Sequence, residues 1–225
     1  MQLTGRSKPA SDGANAMLHT LSVFSRRIME HLNQALFLWI NASDPTATNL
    51  LIGRLLANTL VYLFPLYLVL NWVRADAAGR EALLQAILAA IIAMVLSWAI
   101  AKVWYHPRPF AIGLGHQYLA HKATASFPSN HLSFIWAICA GLYLHPVRRR
   151  AALILGAIGL LVAWARIYLG VHWPLDMIGA FVTAIVAAAI SAPARHHVIP
   201  RLRRTIEPFY HLVFAWAIRR GWLRA

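Results

Sequence analysis

The chain has 225 residues, 60% of them hydrophobic and only 12% charged, with 21 Lys and Arg against 7 Asp and Glu. A mean hydropathy of +0.56 argues against a soluble domain, which would carry more charge, and for membrane insertion. Nucleic-acid binding is also disfavoured, because the basic residues stand at the ends of apolar segments instead of along one exposed face.

Residues 1–16 are small and polar and read as a disordered tail. No compact signal peptide follows, so no cleavage is expected. Residues 17–41 alternate polar and apolar positions and end in an apolar run too short to cross a bilayer, which needs about 20 residues. An amphipathic helix lying in the interface is expected there, then a turn over 41–45. The first span is expected at 50–72, with Arg54 snorkelling to the interface and Pro65 as a kink. A charged connector with Arg74, Asp76, Arg80 and Glu81 leads to the second span, 82–101.

Residues 102–131 form a polar loop rich in His, Pro and Gly. A third helix is expected from Ser129, its cap, to 144. It contains Cys139, the one cysteine, read as a small buried hydrophobe. Arg148, Arg149 and Arg150 separate it from a fourth helix over 151–169. Pro174 opens a fifth, running to 191. A basic tail with Arg195, Arg201, Arg203 and Arg204 follows, with a second interfacial helix at 207–222. The third and fourth apolar runs are short for spans, which fits helix ends that face a water-filled site inside the protein.

The expected fold is therefore all-α: an integral membrane helical bundle with about five transmembrane helices and interfacial terminal helices. Its parts are an N-terminal segment 1–49, a membrane core 50–194 and a basic tail 195–225. Five spans put the 102–131 loop and the 166–176 region on one side, with the three-arginine connector and the tail on the other. The positive-inside rule makes that second side cytoplasmic. Arg6, Lys8, Arg26 and Arg27 fall outside in this arrangement, and an extra N-terminal span would move them in.

Three polar clusters reach the outer face: Lys102 to Arg108-Pro109, then Pro128-Ser129-Asn130-His131, then Arg166 to His172 and Asp176. Lys102, Arg108 and Arg166 are cations enough to hold a phosphate dianion and the charge that develops during its transfer. Ser129 and the backbone amides that start the third helix add donors. His172 and Asp176 are four apart, so a first-turn carboxylate can reach back to one imidazole nitrogen while the other attacks phosphorus. His131 remains to protonate the departing oxygen. Asp176 is the one acid of the region, so no carboxylate pair exists to hold magnesium. No metal and no cofactor are expected. Each residue alone has a bland reading: snorkelling arginine, interfacial histidine, first-turn helix charge. Their joint convergence favours chemistry.

These clusters resemble the signature of the type-2 phosphatidic acid phosphatase superfamily, related to vanadium haloperoxidases: Lys-x6-Arg-Pro, Pro-Ser-Gly-His and Ser-Arg-x5-His-x3-Asp. Ala165 replaces the Ser of the third motif, and Asn130 replaces the Gly of the second while keeping its amide. Five residues instead of six separate Lys102 from Arg108. The resemblance implies His172 as nucleophile, His131 as general acid and Asp176 as the residue that orients His172. It implies phosphate binding by Lys102, Arg108, Ser129, Asn130 and Arg166. The wording around His106, Gly113, His116, Ser126 and Tyr168 to Met177 is similar to bacterial undecaprenyl-diphosphatases of the bacitracin-resistance type. That implies a polyprenyl diphosphate substrate, no nucleic acid, and a plasma (inner) membrane location with the site facing the periplasm. His106, His116, His121 and Lys122 read either as contacts to a second phosphate or as ordinary loop residues. Phosphatidate, phosphatidylglycerophosphate or lipid A phosphate stay open as substrates, as does phosphotransfer to another lipid. A non-catalytic lipid-binding or transport protein is the reading of another class.

Overall fold

The computed structural model describes residues 11–224, so the expectations for residues 1–10, with Arg6 and Lys8, lie outside the described residues. Among the described residues eight α-helices follow one another: α1 (Ser11–Ile40), α2 (Ala47–Asn58), α3 (Leu63–Trp72), α4 (Ala77–Val103), α5 (Asn130–Tyr143), α6 (Arg149–Tyr168), α7 (Pro174–Ser191) and α8 (Ala194–Arg219). Four segments among them are long and apolar enough to cross a membrane: Ala47–Trp72, Ala77–Val103, Pro146–Tyr168 and Pro174–Ser191. The first runs through α2 and α3 with a 3-10 turn, Leu60–Tyr62, between them. The break therefore falls ahead of Pro65, which sits inside the first turn of α3, where a missing N–H costs little.

The third expected span is shorter than the others. α5 has 14 residues, about 21 Å at 1.5 Å per residue, against a hydrocarbon core of about 30 Å. It is the central helix, packed by α4, α6 and α7, and most of its side chains, Cys139 included, are buried. It begins inside the loop that carries the polar clusters, where protein covers the backbone and no lipid-spanning length is required. Close approach is what Gly141 permits: a Cβ there would lie 2.6 Å from the Ala86 backbone of α4.

The terminal helices are longer than the sequence pattern implies. α1 begins at Ser11, so residues 11–16 are helical and not a loose tail. Its final turns leave the interface and enter the protein: Phe37 is fully buried against Trp173, ring centres 5.1 Å apart. α8 starts at Ala194 and runs through Pro200 and Pro208. It packs on α4 through Arg80, which is 1% exposed. Arg80 donates to Glu207 (3.2 Å) and to the Arg224 carbonyl (2.8 Å), with its guanidinium 4.6 Å from the Tyr210 ring. Arg203 joins Glu81 (3.0 Å) and Glu207 (2.5 Å) in the same cluster. At this end too, Arg148 donates to Asn71 (2.7 Å). The other end of the bundle holds the three polar clusters.

Candidate active site

Asp176 is the hub. It is the third residue of α7, fully buried, and its Oδ2 accepts from three donors. These are the Trp173 backbone N–H (2.8 Å), His172 Nδ1 (2.9 Å) and the Ser126 hydroxyl, in a very short contact. A carboxylate in the first turn of a helix is also favoured by the helix dipole. Because Oδ2 can only accept, the His172 hydrogen resides on Nδ1 and the lone pair on Nε2. The second partner agrees: Arg108 Nη1 lies 3.1 Å from Nε2, and a guanidinium can only donate. The Ser129 hydroxyl is 3.4 Å from the same nitrogen. The tautomer needed for nucleophilic attack is thus fixed from both sides.

Burial sets the charge of this imidazole. Desolvation pushes His172 down to about 3 from an ordinary 6.5, against the raising effect of Asp176, with Arg166 and Arg108 adding to the fall. At neutral pH the ring is uncharged and its nitrogen free to attack.

The two arginines are held differently. Arg108, 4% exposed, is gripped by loop carbonyls: Nη1 donates to Val171 (2.7 Å), Nε to Thr124 (3.2 Å) and Nη2 to Ala125 (3.1 Å). Burial lowers its pKa, opposed chiefly by the charge of Asp176. Arg166, in the last turn of α6 and 1% exposed, donates through Nη1 to the Ala57 carbonyl (3.3 Å), while its buried Nε has no partner among the described residues. Two buried guanidiniums therefore face one buried carboxylate. A net positive charge out of water is costly unless an anion completes it, so the arrangement suits an anionic group.

His131 lies in the first turn of α5, with Arg166, His121 and Arg108 the charged groups that act on it. The amides of Asn130 and His131 begin that helix and have no intrahelical partner; the Asn130 side chain itself is exposed. Lys102 is the expected site residue that the structure does not bring in. It is exposed in the last turn of α4, and no hydrogen bond or ion pair joins it to the site among the described residues. There a lysine complements the helix C-terminus, and the spacing to Arg108, one residue short, leaves it on the outside.

Several contributors escape the sequence reading. Ser126, fully buried, bonds Asp176 and lies 3.3 Å from His172 Nδ1. Its only signal is its place in the wording shared with the resembling family, three positions before Ser129 in a polar loop. Asn33 and Asn41 of the N-terminal segment brace the site from outside the motifs. Asn33 Oδ1 accepts from the Leu175 amide (3.0 Å). Asn41 Nδ2 donates to the His116 and Tyr168 carbonyls (3.0 Å each), and its Oδ1 accepts from the His116 amide (2.8 Å). Arg54 does more than snorkel, donating to the Tyr118 carbonyl (3.1 Å). Gly170 is required where these strands of loop meet: its φ is +78°, and a Cβ would lie 1.9 Å from the His116 oxygen. No group of three His, Cys, Asp or Glu side chains among the described residues is placed to hold a metal ion.

Comparison with known proteins supplies the frame for this geometry. Residues 82–200 match the family model described as the PAP2 superfamily. The Escherichia coli (strain K12) protein YbjG, provisionally named an undecaprenyl-diphosphatase, is 33% identical over 202 residues, covering 88% of this chain and all of YbjG. The undecaprenyl-diphosphatase BcrC of Bacillus subtilis (strain 168) is 32% identical over 123 residues, 55% of this chain and 63% of BcrC. Among solved structures, Aquifex aeolicus LpxE superposes with a TM-score of 0.60 at 28% identity, covering 71% of this chain and 94% of LpxE. The chain belongs to the PAP2 superfamily, as a multi-pass membrane phosphatase acting on phosphate esters or anhydrides.

Proposed function

We propose that the chain hydrolyses undecaprenyl diphosphate to undecaprenyl phosphate through a phosphohistidine on His172. The observation that carries the reading is the placement of buried His172, its Nε2 between Arg108 and Ser129 and its other nitrogen bound to Asp176. In the first step Nε2 attacks the terminal phosphorus, and the bond to the bridging oxygen breaks. His131, protonated as the substrate's negative charge arrives beside it, delivers a proton to that oxygen, so the lipid phosphate leaves. Arg108 and Arg166 take up the charge that grows on the equatorial oxygens. In the second step water attacks the phosphohistidine while His131 takes the proton back, releasing inorganic phosphate and restoring neutral His172. Asp176 stabilises the imidazolium character of the bound ring without itself being protonated.

The substrate assignment draws on the names of YbjG and BcrC. Orientation draws on charge: the opposite end carries Arg148, Arg149, Arg150, Arg201, Arg203 and Arg204, so the positive-inside rule favours a site on the periplasmic face of the plasma membrane. The test is phosphate release in detergent, with and without EDTA, from undecaprenyl diphosphate, farnesyl diphosphate, phosphatidate and phosphatidylglycerophosphate. The polyprenyl diphosphates should give the highest kcat/KM, unaffected by EDTA. A clear preference for phosphatidate or phosphatidylglycerophosphate would move the chain to another lipid, and loss of rate with EDTA restored by magnesium would end the metal-free mechanism.

A further inference from the structure

One histidine of the site has no part in the steps above. His121 lies in the loop before α5, its ring centre 6.1 Å from that of His172 with the planes 74° apart. Arg108 and Arg166 both act on its charge, and it acts on His131. It therefore lies beside the His172 ring, without a hydrogen bond to the dyad. With Ala120 and Lys122 it lines an open surface depression of about 510 Å3. Its Nδ1 is 3.0 Å from the Lys122 carbonyl. A carbonyl only accepts, so Nδ1 carries a hydrogen, and Nε2 has no hydrogen-bond partner among the described residues.

We propose that His121, together with the ammonium of Lys122, binds the second phosphate of a diphosphate substrate, the one that stays on the lipid, and so makes the site select diphosphates over monophosphates. The transferred phosphate is already provided for by Arg108, Arg166, Ser129 and the first-turn amides of α5. A phosphate one bridging oxygen further out needs donors outside that set, and the His121 and Lys122 wall is where the depression supplies them. Phosphate oxygens are strong acceptors and Lys122 a compact point charge, so both contacts would be charge-assisted. Burial first, then Arg108 and Arg166, hold the His121 pKa below its ordinary value, opposed by the Lys122 carbonyl. Among the groups that face it, Arg108, Arg166, Lys122, His131 and His172, none is an acid; a diphosphate would bring the negative charge that lets His121 take a proton and donate twice.

The inference rests on the diphosphatase reading, and one pair of substrates tests it separately: farnesyl diphosphate and farnesyl monophosphate, with the purified full chain in detergent. His121→Ala should raise KM for the diphosphate about tenfold while leaving kcat, and KM for the monophosphate, within about twofold. His121→Lys should recover part of the loss. Lys122→Ala, at an exposed position, should give a smaller rise of the same selective kind and serves if His121→Ala fails to fold. Equal loss on both substrates, or no change on the diphosphate, would overturn the assignment while leaving the diphosphatase reading intact. Failure of the unaltered enzyme to release phosphate from either prenyl substrate would instead overturn that reading, and this inference with it.

Discussion

At the residue scale, the site is built around one carboxylate oxygen. Asp176 Oδ2 takes the His172 Nδ1 hydrogen and is itself held by the Trp173 amide and the Ser126 hydroxyl. Ser126 thus acts through Asp176, as a positioning residue. Ser126→Ala should lower kcat about tenfold, the cost of loosening one buried hydrogen bond to an ionised group, while KM stays within twofold and the phosphohistidine still forms. A fall in KM-dependent terms alone would assign Ser126 to substrate instead. The pH behaviour of His172 follows from its depressed pKa of about 3. Between about 3 and 6.5 the unfolded chain binds a proton that the folded chain refuses, so this group's stabilising contribution is full above pH 6.5 and is lost as pH falls toward 3. NMR of the labelled imidazole should show no titration between pH 5 and 8; a midpoint near 6.5 would mean that the ring is solvated. Much of this was legible beforehand. The i,i+4 pair at 172 and 176 and the two Arg motifs are read directly from spacing. The role of Ser126 is not, because one serine among the polar residues of a loop carries no pattern that separates a buried donor from a solvated one. Lys102 stands exposed at the end of α4, and spacing along a helix end does not say which way a long side chain leaves it.

At the element scale, periodicity and caps located the helices well: α7 begins at Pro174 and ends at Ser191 as expected. The two terminal helices were harder. An amphipathic pattern looks the same whether its apolar face meets lipid or protein, so neither the insertion of Asn33, Phe37 and Asn41 into the site end nor the docking of α8 on Arg80 could be read from it. That docking has a measurable consequence. Arg80 is buried, bonded to Glu207 and stacked between Trp72 and Tyr210, and removing one partner of a buried pair leaves the other uncompensated. Arg80→Ala should cost about 3 kcal/mol, read as a fall in Tm in detergent, with the kcat of the remaining folded enzyme unchanged. No change in Tm would mean that α8 contributes nothing to the bundle.

For the whole molecule, the four spanning segments and the central α5 sort its polar residues to opposite ends: a site end closed by α1 and a basic end closed by α8. Among the described residues four segments are long and apolar enough to cross alone, and α5 makes the fifth passage, from the site end to Arg148, as a short helix surrounded by protein. The two-ended arrangement makes orientation testable. A cysteine placed at exposed Lys122 should react with a membrane-impermeant maleimide in intact bacterial cells, and one at exposed Arg204 only after the membrane is opened; the reverse pattern would invert the topology. The central claim is that His172 carries the phosphoryl group, and rapid quenching with substrate labelled in its terminal phosphate tests it most directly. Label should appear in acid-labile, base-stable form on the peptide containing His172, and be absent along with turnover in His172→Ala. Turnover without protein-bound label, or label on any other residue, would contradict it.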